Sequence, residues 1–149
     1  MRYIAVLIPT IFLVGCASLS SLPRSTSEVD FDTANEGKIG WSRYQRSFFF
    51  PGIDKTTALE AARVSLTKLE FAIKKENLED GFVLGEHGMT LYDWNVVAGV
   101  YIKETKEGCH AKVIAQGSYD VGFAGDATAT DWPRDILWSM RDYISRKLE

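Results

Sequence analysis

Few residues of this chain are spaced for chemistry. Cys16 is the foremost: it follows the basic Arg2 and an apolar run over residues 3–13, and it sits between Gly15 and Ala17. That is the layout of a secretory signal sequence with a small-residue cleavage site. Glu86-His87, and Asp126 with Asp131, are the remaining residues from which an acid–base or zinc site could be assembled, since such sites are defined by geometry rather than sequence order. His87 stands in a Gly-flanked turn, where a solvated loop residue is the ordinary outcome, and Asp126 and Asp131 suffice as turn and cap residues. There is no His-Glu-x-x-His pattern, no Gly-x-Ser-x-Gly elbow, no Gly-rich phosphate loop and no repeated Cys-x-x-Cys. The sequence therefore predicts no catalytic residues, no metal and no cofactor. An envelope enzyme, metal-dependent or acid–base, with a site near Glu86 and His87 is the alternative.

Read residue by residue, Leu13-Val14-Gly15-Cys16 resembles the lipobox of bacterial lipoproteins. The resemblance implies that the sulfur of Cys16 receives a diacylglyceryl group, that cleavage falls before it, and that its freed amine is open to acylation. Residues 1–15 are then a removed signal peptide and Cys16 is the lipidation site. A spanning helix needs about 20 apolar residues, whereas this run is interrupted by Pro9 and Thr10 and gives way to serines by Ser18. Each buried methylene of an acyl chain adds about 0.8 kcal/mol, so two or three chains anchor a protein that does not span. By the sorting rule of enteric lipoproteins, Ala17 after the cysteine implies the outer membrane, facing the periplasm.

Cys109 is then the remaining thiol, and an odd cysteine has no partner within its chain. Pairing between chains and service as a nucleophile are the alternatives, but a buried free cysteine behaves as a small apolar residue, and packing in the core is the expectation. The whole chain carries 17 Lys and Arg against 20 Asp and Glu, and removal of residues 1–15 takes away Arg2 alone, leaving a side-chain balance of −4. That sign argues against nucleic acid as a partner.

Residues 16–40 are rich in Ser, Thr, Pro and acids, with Leu19, Leu22, Val29, Phe31 and Ile39 as scattered apolar positions. They read as the lipidated cysteine and a flexible tether, whose root-mean-square span would be roughly 27 Å. Residues 41–149 read as a single domain. Tyr44, Phe48 and Phe50 alternate with polar residues and predict a first strand ended by Pro51-Gly52, with Phe49 breaking the alternation. Asp54 and Thr57 are both possible N-caps of a helix over residues 55–70, and Thr57 with Glu60 fits the capping-box spacing. Residues 71–76 and 82–86 predict a hairpin.

A second hairpin follows. Val96, Ala98, Val100 and Ile102 alternate with their neighbours, residues 105–108 make a turn, and Cys109, Ala111, Val113 and Ala115 lead a shared face as far as Phe123. Setting Lys103 opposite His110 brings the two apolar faces together without a slip. After a loop of small residues, Asp131-Trp132-Pro133 opens a second helix with an apolar stripe of Ile136, Leu137, Met140, Ile144 and Leu148.

The fold class is thus α+β: a two-layer sandwich, an antiparallel sheet of four to five strands with two helices on one face and the other face open. The pattern over residues 43–148, with the lipobox, resembles small bacterial lipoproteins of uncharacterised function with a two-layer β-α-β-β-β-α domain. It is also similar in architecture to the lipoprotein that plugs the outer-membrane lipopolysaccharide translocon. On the open face the register groups Val97, Tyr101 and Ile114, with Phe49 pointing the same way. Tyrosine and aliphatics ringed by Lys112, His110 and Gln116 have the make-up of a contact patch. The expected role is therefore membrane-anchored binding or scaffolding, the partner an envelope protein or a second copy of the chain.

Overall fold

Alternation around the Lys106-Glu107 turn sets the centre of the sheet. In the computed structural model, which describes residues 17–31, 36–39, 43–88, 95–117 and 132–149, strands β5 (Val96–Thr105) and β6 (Gly108–Gly117) pair with Lys103 opposite His110, Ile102 opposite Ala111 and Gly99 opposite Ile114. This is the register that the coincidence of apolar faces requires. Strands β1 (Gly37–Ile39) and β2 (Arg43–Pro51) lie beyond β6, while β4 (Phe82–His87) and β3 (Ala72–Asn77) lie beyond β5. The order is β1-β2-β6-β5-β4-β3, and every neighbouring pair is antiparallel. Cys16, Tyr119, Val121, Phe123, Asp126 and Asp131 lie outside the described residues.

The α+β sandwich is the fold observed, with six strands among the described residues rather than four or five. The additional one is β1, three residues long and half to fully exposed. A short polar edge strand leaves almost no alternating signature in a sequence.

Helices α1 (Lys55–Lys68) and α2 (Trp132–Leu148) pack side by side on one sheet face. Leu59 and Leu66 from α1, with Ile136 and Met140 from α2, meet Phe50, Val100, Ile102 and Val113 from the strands in one core. The helix N-cap is Asp54, whose carboxylate accepts the Thr57 N–H at 2.8 Å and the Thr57 hydroxyl at 3.0 Å. Glu60 is thus not the reciprocal half of a capping box. It reaches across to α2 instead, accepting from the Tyr143 hydroxyl at 2.8 Å and from the Lys147 ammonium.

At the other end of α1 the Phe71 N–H returns to the Leu66 carbonyl and the Glu70 N–H to the Thr67 carbonyl. With Glu70 at φ 65°, this is a Schellman turn closed by a residue other than glycine. It stops the helix at Lys68, two residues earlier than residues 55–70, and turns Phe71 into the core.

The other sheet face is not open. Residues 17–31 run across it as a strap containing two single 3-10 turns, Leu19–Ser21 and Thr26–Glu28. A second apolar cluster forms there from Ala17 and Leu22 on the strap and Phe82, Leu84, Val97, Tyr101 and Ile114 on the sheet, with Leu19, Val29 and Phe31 packed against it. Over these residues the flexible tether is replaced by packed structure. The physical reason is the demand of an apolar sheet face for cover. The scattered apolar side chains of the segment supply it, spaced by the 3-10 turns.

Candidate functional site

The strapped face is where the residues expected to bind a partner are found, so its geometry decides what they do. Each strand contributes alternate residues to it: Gln45, Ser47 and Phe49 from β2, Val97, Gly99 and Tyr101 from β5, His110, Lys112, Ile114 and Gln116 from β6. Val97 and Tyr101 are fully buried and Ile114 is 4% exposed, because Leu22 and its neighbours sit on them. The expected docking patch is therefore covered by the chain's own strap. Phe49 stands apart from that cluster, half-buried and tilted against His110 with ring centroids 4.6 Å apart.

Polar contacts fix the strap along its length. The Asn95 side-chain amide donates to the Ala17 carbonyl at 3.0 Å, and the Arg43 guanidinium donates to the Ser21 carbonyl while holding Gln116. The Tyr101 hydroxyl donates to the Pro23 carbonyl at 2.8 Å. Farther along, the Thr26 hydroxyl donates to the Gly81 carbonyl at 2.9 Å, an oxygen that also accepts the Ile102 N–H. Lys103 lies over the Phe31 ring at 5.8 Å from its centroid. Each neutral hydrogen bond of this kind contributes about 1 kcal/mol net. Their spacing matters more, since they fix the strap carbonyls of Ala17, Ser21 and Pro23 and the Thr26 hydroxyl in turn, and together they set its path.

Burial governs the chemistry available here. The Tyr101 phenol is pushed well above its ordinary range by desolvation, so it is a neutral hydrogen-bond donor and not a base. Lys112, opposite both Ser47 and Tyr101 across the strands, is wholly buried. An ammonium removed from water costs several kcal/mol unless it is well compensated, so the closure of this face is carried by its apolar cluster and hydrogen bonds and not by Lys112.

Comparison with models of known protein families and with curated proteins finds no match for this chain. The geometry must therefore speak for the remaining candidates.

Glu86 and His87 are adjacent on β4 and point to opposite faces, so they do not form one site. Glu86 lies 3.7 Å from the Lys74 ammonium. His87 is 5% exposed and enters the helix side, where its ring lies 5.1 Å from Trp132 and 5.4 Å from Phe71. It is an aromatic packing residue rather than a solvated turn residue, with a buried Nδ1 that has no hydrogen-bond partner among the described residues. No group of three or more His, Cys, Asp or Glu side chains converges to hold a metal among the described residues.

Cys109 is buried in the helix-side core. Desolvation, with smaller contributions from Glu104 and Asp54, pushes its thiol up to about 11.

Sequence reasoning missed Ala17, Asn95, Arg43, Pro23 and Thr26 as the residues that tie the strap down. The signal that could have found the strap is the recurrence of Leu19, Leu22, Val29 and Phe31 upstream of a sheet with one face left uncovered. The polar ties have no signature in sequence, because their acceptors are mostly backbone carbonyls.

Proposed function

We propose that the protein is a lipoprotein of the bacterial envelope, held to a membrane through lipid on Cys16 and acting by binding or scaffolding rather than by catalysis. The observation that carries this reading is the Leu13-Val14-Gly15-Cys16 tetrapeptide at the end of an apolar leader. Ala17 points to the outer membrane, with the domain facing the periplasm. The divergence of Glu86 and His87 on β4 weighs against an acid–base or zinc enzyme at that position. The occupant of a binding role is an envelope protein or a second copy of the chain, engaged through surfaces other than the strapped face.

The test is the mass of the mature protein extracted from membranes. An N-terminal Cys16 carrying diacylglyceryl is the expected result, and Cys16→Ser should yield an unacylated chain that washes off membranes. An unmodified Cys16 in a membrane-bound protein would remove the basis of the reading. Crosslinking in intact envelopes then identifies the partner, while zinc copurifying in stoichiometric amount with the folded domain would favour the enzyme.

A further inference from the structure

The strap does more than cover the sheet, because it fixes where Ala17, the residue after Cys16, sits. Arg43 pairs with Gln116, Val96 with Gly117, and His87 with Val96, so β2 and β5 begin and β4 and β6 end at one rim of the sheet. The Ala17 carbonyl is tied to Asn95 at that rim, and Ala17 itself is only 6% exposed. From there the strap crosses the face toward the opposite rim, where Thr26 meets Gly81 and where Thr105 and Pro51 both pair with Gly108. Ten paired residues at about 3.3 Å each put the rims roughly 30 Å apart.

The geometry points to a fixed orientation on the bilayer: the rim of Arg43, His87, Asn95 and Gly117 faces the lipid, and the Gly81 and Gly108 rim faces away. This rests on the lipid attachment at Cys16 proposed above. Consecutive Cα atoms are about 3.8 Å apart, so an acylated Cys16 lies one peptide from a backbone atom fixed to Asn95. A free tether of 24 residues would let the domain stand roughly 27 Å away and tumble. With residues 17–31 packed on the sheet, that slack is absent, and the partner of the Asn95 rim is the lipid surface itself.

The experiment uses the full-length acylated protein in vesicles of phosphatidylethanolamine and phosphatidylglycerol containing a headgroup quencher, with Cys109→Ala to remove the other thiol. A fluorophore is placed on Gly88→Cys, at an exposed position with open space around it, or on Lys106→Cys in the turn at the far rim. The label at residue 88 should lose most of its emission and the label at residue 106 should keep it. Inserting a long Gly-Ser segment between Cys16 and Ala17 should abolish the difference. Equal quenching of both labels on an acylated, vesicle-bound chain would overturn the orientation while leaving the lipoprotein reading intact. An asymmetry that survives the insertion would also overturn it, since the strap would then not be its cause. A mature chain with no acyl mass on Cys16 would overturn both.

Discussion

The ring of Tyr101 lies over Gly99: a Cβ placed at Gly99 would stand 2.6 Å from the Tyr101 Oη and 2.7 Å from its Cε2. The two residues share a face of β5, and the absent side chain of one is the space that the other occupies. This lets the phenol lie along the sheet and reach the Pro23 carbonyl. Gly99→Ala should therefore displace the ring and break that bond, at about 1–3 kcal/mol for overpacking. Hydrogen exchange should accelerate over residues 17–31 and β5, with α1 and α2 protected as before. Unchanged melting and exchange would show that the ring has another place to go.

The fold was legible where burial imposes a period. Alternation placed β5 and β6 and their register, and the N-cap at Asp54 placed the start of α1. The strap was not legible, because a segment that lies across strands has no ladder and no single repeat to betray it. Its composition of Ser, Thr, Pro and acids matches a linker, and its apolar residues make sense only against a face that needs cover. His87 illustrates the other limit: its Gly neighbours suggested a turn, yet it ends a strand and stacks against Trp132 from a helix 45 positions later.

Asp54 should make stability depend on acid. Its hydrogen bonds from Thr57 hold its carboxyl below the usual 3.8. A folded-state value below the unfolded one means that the contribution is present above the unfolded value and is lost as pH falls through the folded one. Asp54→Ala should cost about 1 kcal/mol at neutral pH, the usual value of an N-cap. The gap between the two proteins in urea denaturation should close in strong acid. A gap that persists there would assign the cost to packing instead.

Glu70 occupies the left-handed position that ends α1, with φ 65°. An L-residue with a Cβ is penalised there by about 1–2 kcal/mol relative to glycine, part of which is returned to the unfolded chain by glycine's greater freedom. Glu70→Gly should raise the unfolding free energy by up to about 1 kcal/mol without moving the Phe71-to-Leu66 hydrogen bond. A loss of stability would imply that the Glu70 side chain makes a contribution larger than the backbone cost.

Cys109 should resist thiol reagents in the folded protein. Its side chain is fully buried, and the thiol is pushed up to about 11 by desolvation first and by Glu104 and Asp54 second, so little thiolate exists near neutral pH. Labelling should follow the rate of unfolding, and Cys109→Ala should cost about 1 kcal/mol. Fast labelling under native conditions, or a reductant-sensitive dimer, would show that this part of the core opens.

The last prediction separates a covered face from a docking face. If Val97, Tyr101 and Ile114 met a partner, charging two of them would abolish association and spare the fold. In the structure Tyr101 and Ile114 are buried against Leu22 and the strap, and Tyr101 also holds Pro23. Tyr101→Glu with Ile114→Lys would place two charges beneath the strap on a face that already buries Lys112. The desolvation of each new charge costs several kcal/mol unless the strap leaves. The strap should therefore detach or the domain unfold, read as protease cleavage within residues 17–31 and a fall in melting temperature. Tyr101→Phe supplies the graded control: it removes only the hydroxyl, leaves the Pro23 carbonyl without its donor, and should cost about 1 kcal/mol. A double variant that melts like the wild type and keeps residues 17–31 protected would mean that this face tolerates charge, and the strap would not be its permanent cover.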